Sequence, residues 1–148
     1  MFLLDTNALS EPLKPVPSRA FVERLRAERE RRKYASTVSV MELRYGCARH
    51  PRGEGWWERI REEILGRVDL VPVDEEIARR AGELMAGVRR RGRPRATEDI
   101  LIAATALVHR LTLVTHHTRD FADLPGLVVE DWMGRPRGYA TLRDPPIH

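Results

Sequence analysis

Short continuous apolar runs alternate along the chain with stretches whose apolar residues recur at helical spacing, as expected of strands covered on both faces by helices. Phe2-Leu3-Leu4 forms the first run and ends at Asp5, the pattern of a buried strand whose carboxyl end meets solvent, and Thr6 and Asn7 then begin a turn. Pro12, Pro15 and Pro17 break the chain until Ser18, a good N-cap, opens a helix with Phe21, Val22 and Leu25 on one side that ends near Lys33. Tyr34 to Thr37 is the second expected strand, followed by a helix from about Val40 to Arg49 that Pro51 and Gly53 stop. Trp56, Trp57, Ile60 and Ile64 mark an amphipathic helix reaching Leu65. Val68 to Val73 is a third apolar run, interrupted by Asp69 and Pro72. Asp74 then caps a helix through Ile77, Ala81, Leu84, Met85 and Val88 that dissolves into an arginine-rich loop. A helix starting at Thr97 is apolar nearly all round from Ile100 to Leu107 and so buried, and Leu111 to Thr115 and Leu127 to Val129 complete the strands.

Strands alternating with helices predict parallel βαβ units and an α/β fold, a three-layer α/β/α sandwich around a central parallel sheet of about five strands. The periodic part, residues 1–133, reads as one domain, and residues 134–148, with Pro136, Pro145 and Pro146, as an extended C-terminal tail. The tally of 42% hydrophobic and 32% charged residues excludes a disordered chain, and no apolar run approaches the roughly 20 residues of a membrane span. No secretory signal is expected at Met1-Phe2-Leu3-Leu4, and the lone Cys47 excludes an internal disulfide framework, so a cytoplasmic location is expected. The net charge of +4 rests almost wholly on arginine, whose planar fork suits phosphate and carboxylate alike. RNA or an acidic protein segment both fit that surface, and a GC-rich coding sequence would give the same composition.

In an open parallel sheet, ligands bind beyond the carboxyl ends of the strands. Four acids meet that description: Asp5 closes the first strand, Glu42 lies in the first turn or so of the helix after the second, Asp99 opens the buried helix, and Asp120 follows the strand ending at Thr115. Clustered carboxylates repel unless a cation neutralises them, and all-oxygen ligation suits Mg²⁺ or Mn²⁺. Each acid also has a structural reading. Glu42 completes a capping box with Ser39, Glu98 and Asp99 suit a helix macrodipole, and Asp120 is able to cap a turn, with Asp123 a rival for any role. Asp5 is hardest to explain this way, because a carboxylate ending an apolar strand is costly to bury without a partner.

Four segments carry a resemblance. Leu3-Leu4-Asp5-Thr6-Asn7, Ser39-Val40-Met41-Glu42-Leu43-Arg44-Tyr45-Gly46, Asp99-Ile100-Leu101-Ile102-Ala103-Ala104-Thr105-Ala106, and Leu113-Val114-Thr115 with Thr118-Arg119-Asp120-Phe121 resemble, in order, the signature segments of PIN domains, particularly the VapC-like toxins. The likeness runs from about Met1 to Trp132. It implies a PIN-like sandwich and divalent-metal-dependent cleavage of RNA, with Asp5, Glu42 and Asp99 as central metal-coordinating acids and Asp120 as a more variable fourth. One or two Mg²⁺ ions are expected, with Mn²⁺ as a substitute. Thr6, Asn7 and Thr115 would lend polar support. His117 stands where many relatives have Asn, so it and His116 are candidates for contact with substrate or metal, set against a solvent-facing loop pair. The resemblance further implies a homodimer and a small antitoxin protein that enters the site.

The mechanism expected is phosphodiester hydrolysis with no protein nucleophile, and Arg89, Arg90, Arg91, Arg93 and Arg95, just before Asp99, are placed to steer an RNA backbone unless they form a solvated loop. The Trp56-Trp57 helix and the apolar side of the Ile77 to Val88 helix are expected partner surfaces. The alternatives are a PIN-domain RNA-processing nuclease outside any toxin-antitoxin pair and a catalytically silent RNA-binding module. An aspartyl phosphatase would want a second acid where Asn7 stands.

Overall fold

Every strand of the sheet runs in the same direction, and the first strand lies at its centre. The computed structural model describes residues 1–134, so the expected tail lies outside the described residues except for Gly134. Five strands, β1 (Phe2–Leu4), β2 (Lys33–Ser36), β3 (Asp69–Val71), β4 (Thr112–Val114) and β5 (Val129–Glu130), form one sheet in the order β3-β2-β1-β4-β5. All four pairings are parallel, with Phe2 opposite Lys33 on one side and Thr112 on the other. The expected α/β/α sandwich is therefore observed.

Alternation along β1 divides the core. Leu3 joins Ile77, Leu84, Val88, Ile100, Ile102 and Leu113 beneath α5 (Glu75–Arg90) and α6 (Thr97–Val108). Phe2 and Leu4 point the other way, to Leu9, Phe21, Leu43, Cys47, Ile60 and Trp132, beneath α1 (Thr6–Ser10), α2 (Arg19–Ala27), α3 (Thr37–Ala48) and α4 (Gly53–Glu63). A strand buried on both faces has no polar side, which is why its three residues are all apolar.

Several boundaries differ from expectation for identifiable reasons. Thr6 and Asn7 begin not an open turn but the short helix α1, held by the Asp5 carboxylate accepting from the Ala8 amide at 2.7 Å. α2 ends at Ala27 rather than near Lys33. α3 starts at Thr37 because Ser36, not Ser39, is its N-cap, its hydroxyl accepting from the Val38 amide at 3.1 Å. The expected capping box is thus absent, and Glu42 stands in the second turn with its carboxylate free for another use. The apolar side of α5 is not a partner surface either: Ile77, Ala81, Leu84 and Val88 are buried in the core.

The α5–α6 connection positions the site. α5 ends in a Schellman motif in which Gly92 adopts φ +67°, the Gly92 amide donates to Arg89 O at 3.0 Å and the Arg93 amide to Val88 O at 2.9 Å. This reversal returns the chain to the sheet so that α6 begins at Thr97, directly ahead of Asp99. A final short helix, α7 (Thr118–Phe121), follows β4 and buries Phe121.

Candidate active site

The carboxyl ends of β1 and β4 lie side by side. The Asp5 amide donates to Val114 O at 3.0 Å, which places Asp5 beside Thr115 just past the paired strands. Asp5 is 5% exposed and Thr115 is 1% exposed, and the Thr115 hydroxyl hydrogen-bonds the Asp5 carboxylate while accepting the His117 amide at 3.0 Å. Burial pushes the Asp5 carboxyl above its ordinary value, and the bonds from Thr115 and Ala8 oppose that rise.

Glu42 reaches the same place from α3. The Thr6 hydroxyl donates to Glu42 Oε1 at 2.7 Å and lies 3.0 Å from the buried Ser39 hydroxyl. Starting α3 at Thr37 is what turns Ser39 and Glu42 toward Thr6 together. Burial raises the Glu42 carboxyl, the Thr6 bond lowers it, and the charges of Asp99, Glu98 and Asp5 raise it further. Asp99, in the first turn of α6, is raised by burial and by Asp120, Asp5 and Glu98, with His117 opposing.

A cleft of about 90 Å³ is lined by Asp5, Thr6, Asn7, Glu42, Asp99, Ile102, His117, Asp120 and Phe121. All four acids singled out in the sequence therefore meet at one edge of the sheet, each from a different element. A hollow of about 320 Å³ opens at the opposite end, where Lys33 and Asp69 begin β2 and β3. Its charges are largely tied to one another, Arg32 to Asp69 at 2.9 Å and Arg29 to Glu30 at 3.2 Å.

The lining of the carboxyl-end cleft suits a hard cation. Its acidic donors are oxygens, and burial raises three of them above their ordinary values, joined at Glu42 and Asp99 by neighbouring carboxylates, a cost that a bound divalent ion offsets. Among the described residues, no three acidic, imidazole or thiol groups already converge on a single point.

The sequence profile of the PIN domain matches residues 2–127. The chain belongs to the PIN-domain family. It is similar to toxin FitB of Neisseria gonorrhoeae, 35% identical over 139 residues that cover 89% of this chain and 99% of the relative. The tRNA(fMet)-specific endonuclease VapC of Shigella flexneri is 34% identical over 131 residues, covering 88% and 97%. Among solved structures, a chain in DNA-bound VapBC from Salmonella typhimurium superposes with a TM-score of 0.77 at 30% identity, covering 88% of this chain and 97% of that one.

Within this PIN domain the two adjacent histidines part company. His117 lines the cleft, its Nε2 3.0 Å from Asn7 Nδ2, whereas His116 turns outward to Asp131 at 3.3 Å. Both are exposed, as the solvent-facing reading expects, and His117 alone also borders the cleft. The arginines divide as well. Arg89, Arg90, Arg91 and Arg93 are exposed at the end of α5 and in the loop, but Arg95 is folded against α7, its Nε donating to Asp120 O at 2.8 Å. Arg95 is a side chain whose position sequence reasoning misplaced, because the contact that fixes it spans 25 residues.

Proposed function

We propose that this PIN domain is a divalent-metal-dependent endoribonuclease that hydrolyses RNA phosphodiester bonds, acting as the toxin of a toxin-antitoxin pair. The observation that carries the reading is the convergence of Asp5, Glu42, Asp99 and Asp120 on one cleft. Asp5, Glu42 and Asp99 are the acids that would hold Mg²⁺ or Mn²⁺, as one or two ions, with Asp120 at the cleft mouth completing the set. When bound, such an ion supplies positive charge against a phosphoryl oxygen and lowers the pKa of a coordinated water. The chain's own residues do the rest. Thr115 and the Ala8 amide fix the Asp5 carboxylate, and Thr6 fixes that of Glu42. Asn7 and His117, paired at the rim, present polar groups to an entering phosphodiester, and Arg89, Arg90, Arg91 and Arg93 lie exposed where a polyanion is attracted.

The toxin role draws support from the relatives named toxins and from solved neighbours that are VapBC and FitAB assemblies, so the proposed partners are RNA and a cognate antitoxin. A homodimer is proposed on the exposed apolar side chains Met41 (53%) and Tyr45 (62%) of α3 and Trp56 (42%) of α4. Among the described residues, no helix is long and apolar enough to cross a membrane. A cytoplasmic site of action is proposed with the function.

The test is cleavage of a mixed RNA substrate by the purified chain in Mg²⁺ or Mn²⁺, in EDTA, and with Asp5→Asn. Metal-dependent fragments absent from EDTA and from the variant are expected. Equal cleavage by the variant, or in EDTA, would overturn the reading.

A further inference from the structure

α7 is a four-residue helix, too short to persist on its own propensity, yet it carries Asp120. Two anchors hold it. Phe121 is buried in the same core cluster as Ile100, and Arg95 grips the carboxyl end from the loop before α6. The guanidinium uses its whole fork: Nε donates to Asp120 O at 2.8 Å, Nη2 to Asp123 Oδ1 at 3.1 Å and Nη1 to Arg93 O at 2.9 Å. The Arg95 and Asp123 side chains are 16% and 23% exposed, so this pair is far more enclosed than the surface ion pairs of α2 or α5. A cation at the end of a helix also satisfies a terminal carbonyl and complements the helix dipole.

We propose that Arg95 is a positioning residue that ties the loop leading into α6 to the carboxyl end of α7 and so fixes where Asp120 stands relative to Asp99. Asp99 lies four positions beyond Arg95 on the same segment, and Asp120 supplies the carbonyl that Arg95 holds. One side chain therefore spans the two acid-bearing elements that no strand pairing joins. Lysine does not replace it, because an ammonium lacks the flat fork that serves three acceptors at once. The inference rests on the proposed role of the cleft, and it assigns Arg95 to geometry rather than to RNA contact.

The experiment uses the full chain with Arg95→Lys and with the paired change Arg95→Met/Asp123→Asn, which leaves no enclosed charge unpaired. Steady-state RNA cleavage, Mn²⁺ binding by calorimetry and amide hydrogen exchange are measured on each. The expected result is a kcat lowered about tenfold to a hundredfold with KM for RNA held, the size typical of losing a side chain that orients a metal ligand. Mn²⁺ binding weakens alongside. Exchange quickens at the Asp120 and Leu124 amides while Leu113, in β4, keeps its protection. Added to Asp120→Asn, the paired change lowers kcat no further, and Arg95→Lys falls between wild type and the paired variant. A raised KM with kcat unchanged would instead make Arg95 an RNA contact and overturn the inference. So would unaltered exchange in α7. A wild-type chain that neither cleaves RNA nor binds Mn²⁺, but whose α7 loosens in the variant, would strike down the reading of the cleft and with it the purpose assigned to the clamp.

Discussion

Thr6 and Glu42, thirty-six positions apart, are joined by a 2.7 Å hydrogen bond that ties the first turn of α1 to the second turn of α3. The donor lowers the Glu42 carboxyl against the burial and neighbouring charge that raise it. Thr6→Val keeps the shape of the side chain and deletes the donor. Its expected effects are about a tenfold loss of RNA cleavage, the scale seen when a ligand's supporting group is removed, and an acidic limb of the pH–rate profile displaced to higher pH. Thr6→Ser, which restores the donor, should recover both.

Asp5 serves two ends at once, as N-cap of α1 and as the buried acid of the cleft. Asparagine retains a capping oxygen and alanine does not. Asp5→Asn should therefore fold with nearly wild-type stability yet lose RNA cleavage. Asp5→Ala should lose cleavage and also about 1 kcal/mol of stability, the usual worth of an N-cap. Paired urea titrations and cleavage assays separate the two roles.

The acids of the cleft give the metal-free protein an inverted acid response. Asp5, Glu42 and Asp99 are raised above their ordinary values of 3.8, 4.5 and 3.8, so in the window above those values the folded chain binds more protons than the unfolded chain. Stability therefore falls as pH rises through that window and is regained on acidification toward the ordinary carboxylate range. In EDTA the unfolding midpoint should rise as pH is lowered toward the ordinary carboxylate range, and saturating Mg²⁺ should flatten the trend. Asp99→Asn should raise the midpoint at pH 7 in the metal-free protein. A flat metal-free profile would contradict the raised carboxyls.

Arg89, Arg90 and Arg93 are exposed beside the segment that leads to Asp99. Changing all three to Gln should weaken RNA binding at low salt and reduce the slope of log affinity against log salt by about one for each phosphate that an arginine no longer neutralises. The cleavage rate at saturating RNA should hold. An unchanged slope would assign the RNA path elsewhere.

Arg110 follows α6 with φ +54°, and the Leu111 amide donates to Ala106 O at 2.8 Å, the same closure that Gly92 makes after α5. A side chain in the left-handed region carries a steric cost that glycine avoids. Arg110→Gly should accordingly stabilise the fold by about 0.5–1 kcal/mol, and thermal unfolding reads the change directly.

The parts of this molecule legible in its sequence are those governed by local rules. Phe2-Leu3-Leu4 before Asp5, Asp74 ahead of Ile77, and the nearly all-apolar stretch from Ile100 to Leu107 in α6 each announce an element through burial or a cap, and all three appear as read. The start of α3 is ambiguous in the sequence because Ser36 and Ser39 are both able to cap, and local chemistry does not choose between them. Pairing of β2 with β1 and β3 chooses Ser36, by drawing the strand on to that residue. α5 shows the converse limit. Its apolar face is unmistakable in the sequence, but whether that face meets the core or another protein depends on α6, which packs over it. The four acids are legible individually, while the clamp from Arg95 to α7 is not, since nothing local distinguishes an arginine that folds back from one that faces solvent.

The central position of β1 has a temporal consequence during synthesis. One flank of β1 stays open until β4, beyond residue 111, arrives to pair with it, and Asp120 is translated later still. Until then a nascent chain carries Asp5, Glu42 and eventually Asp99 without the β1–β4 pairing that sets Asp5 beside Thr115. Whatever chemistry the cleft performs therefore waits until β4 and α7 have both been made, instead of growing in proportion to the length made.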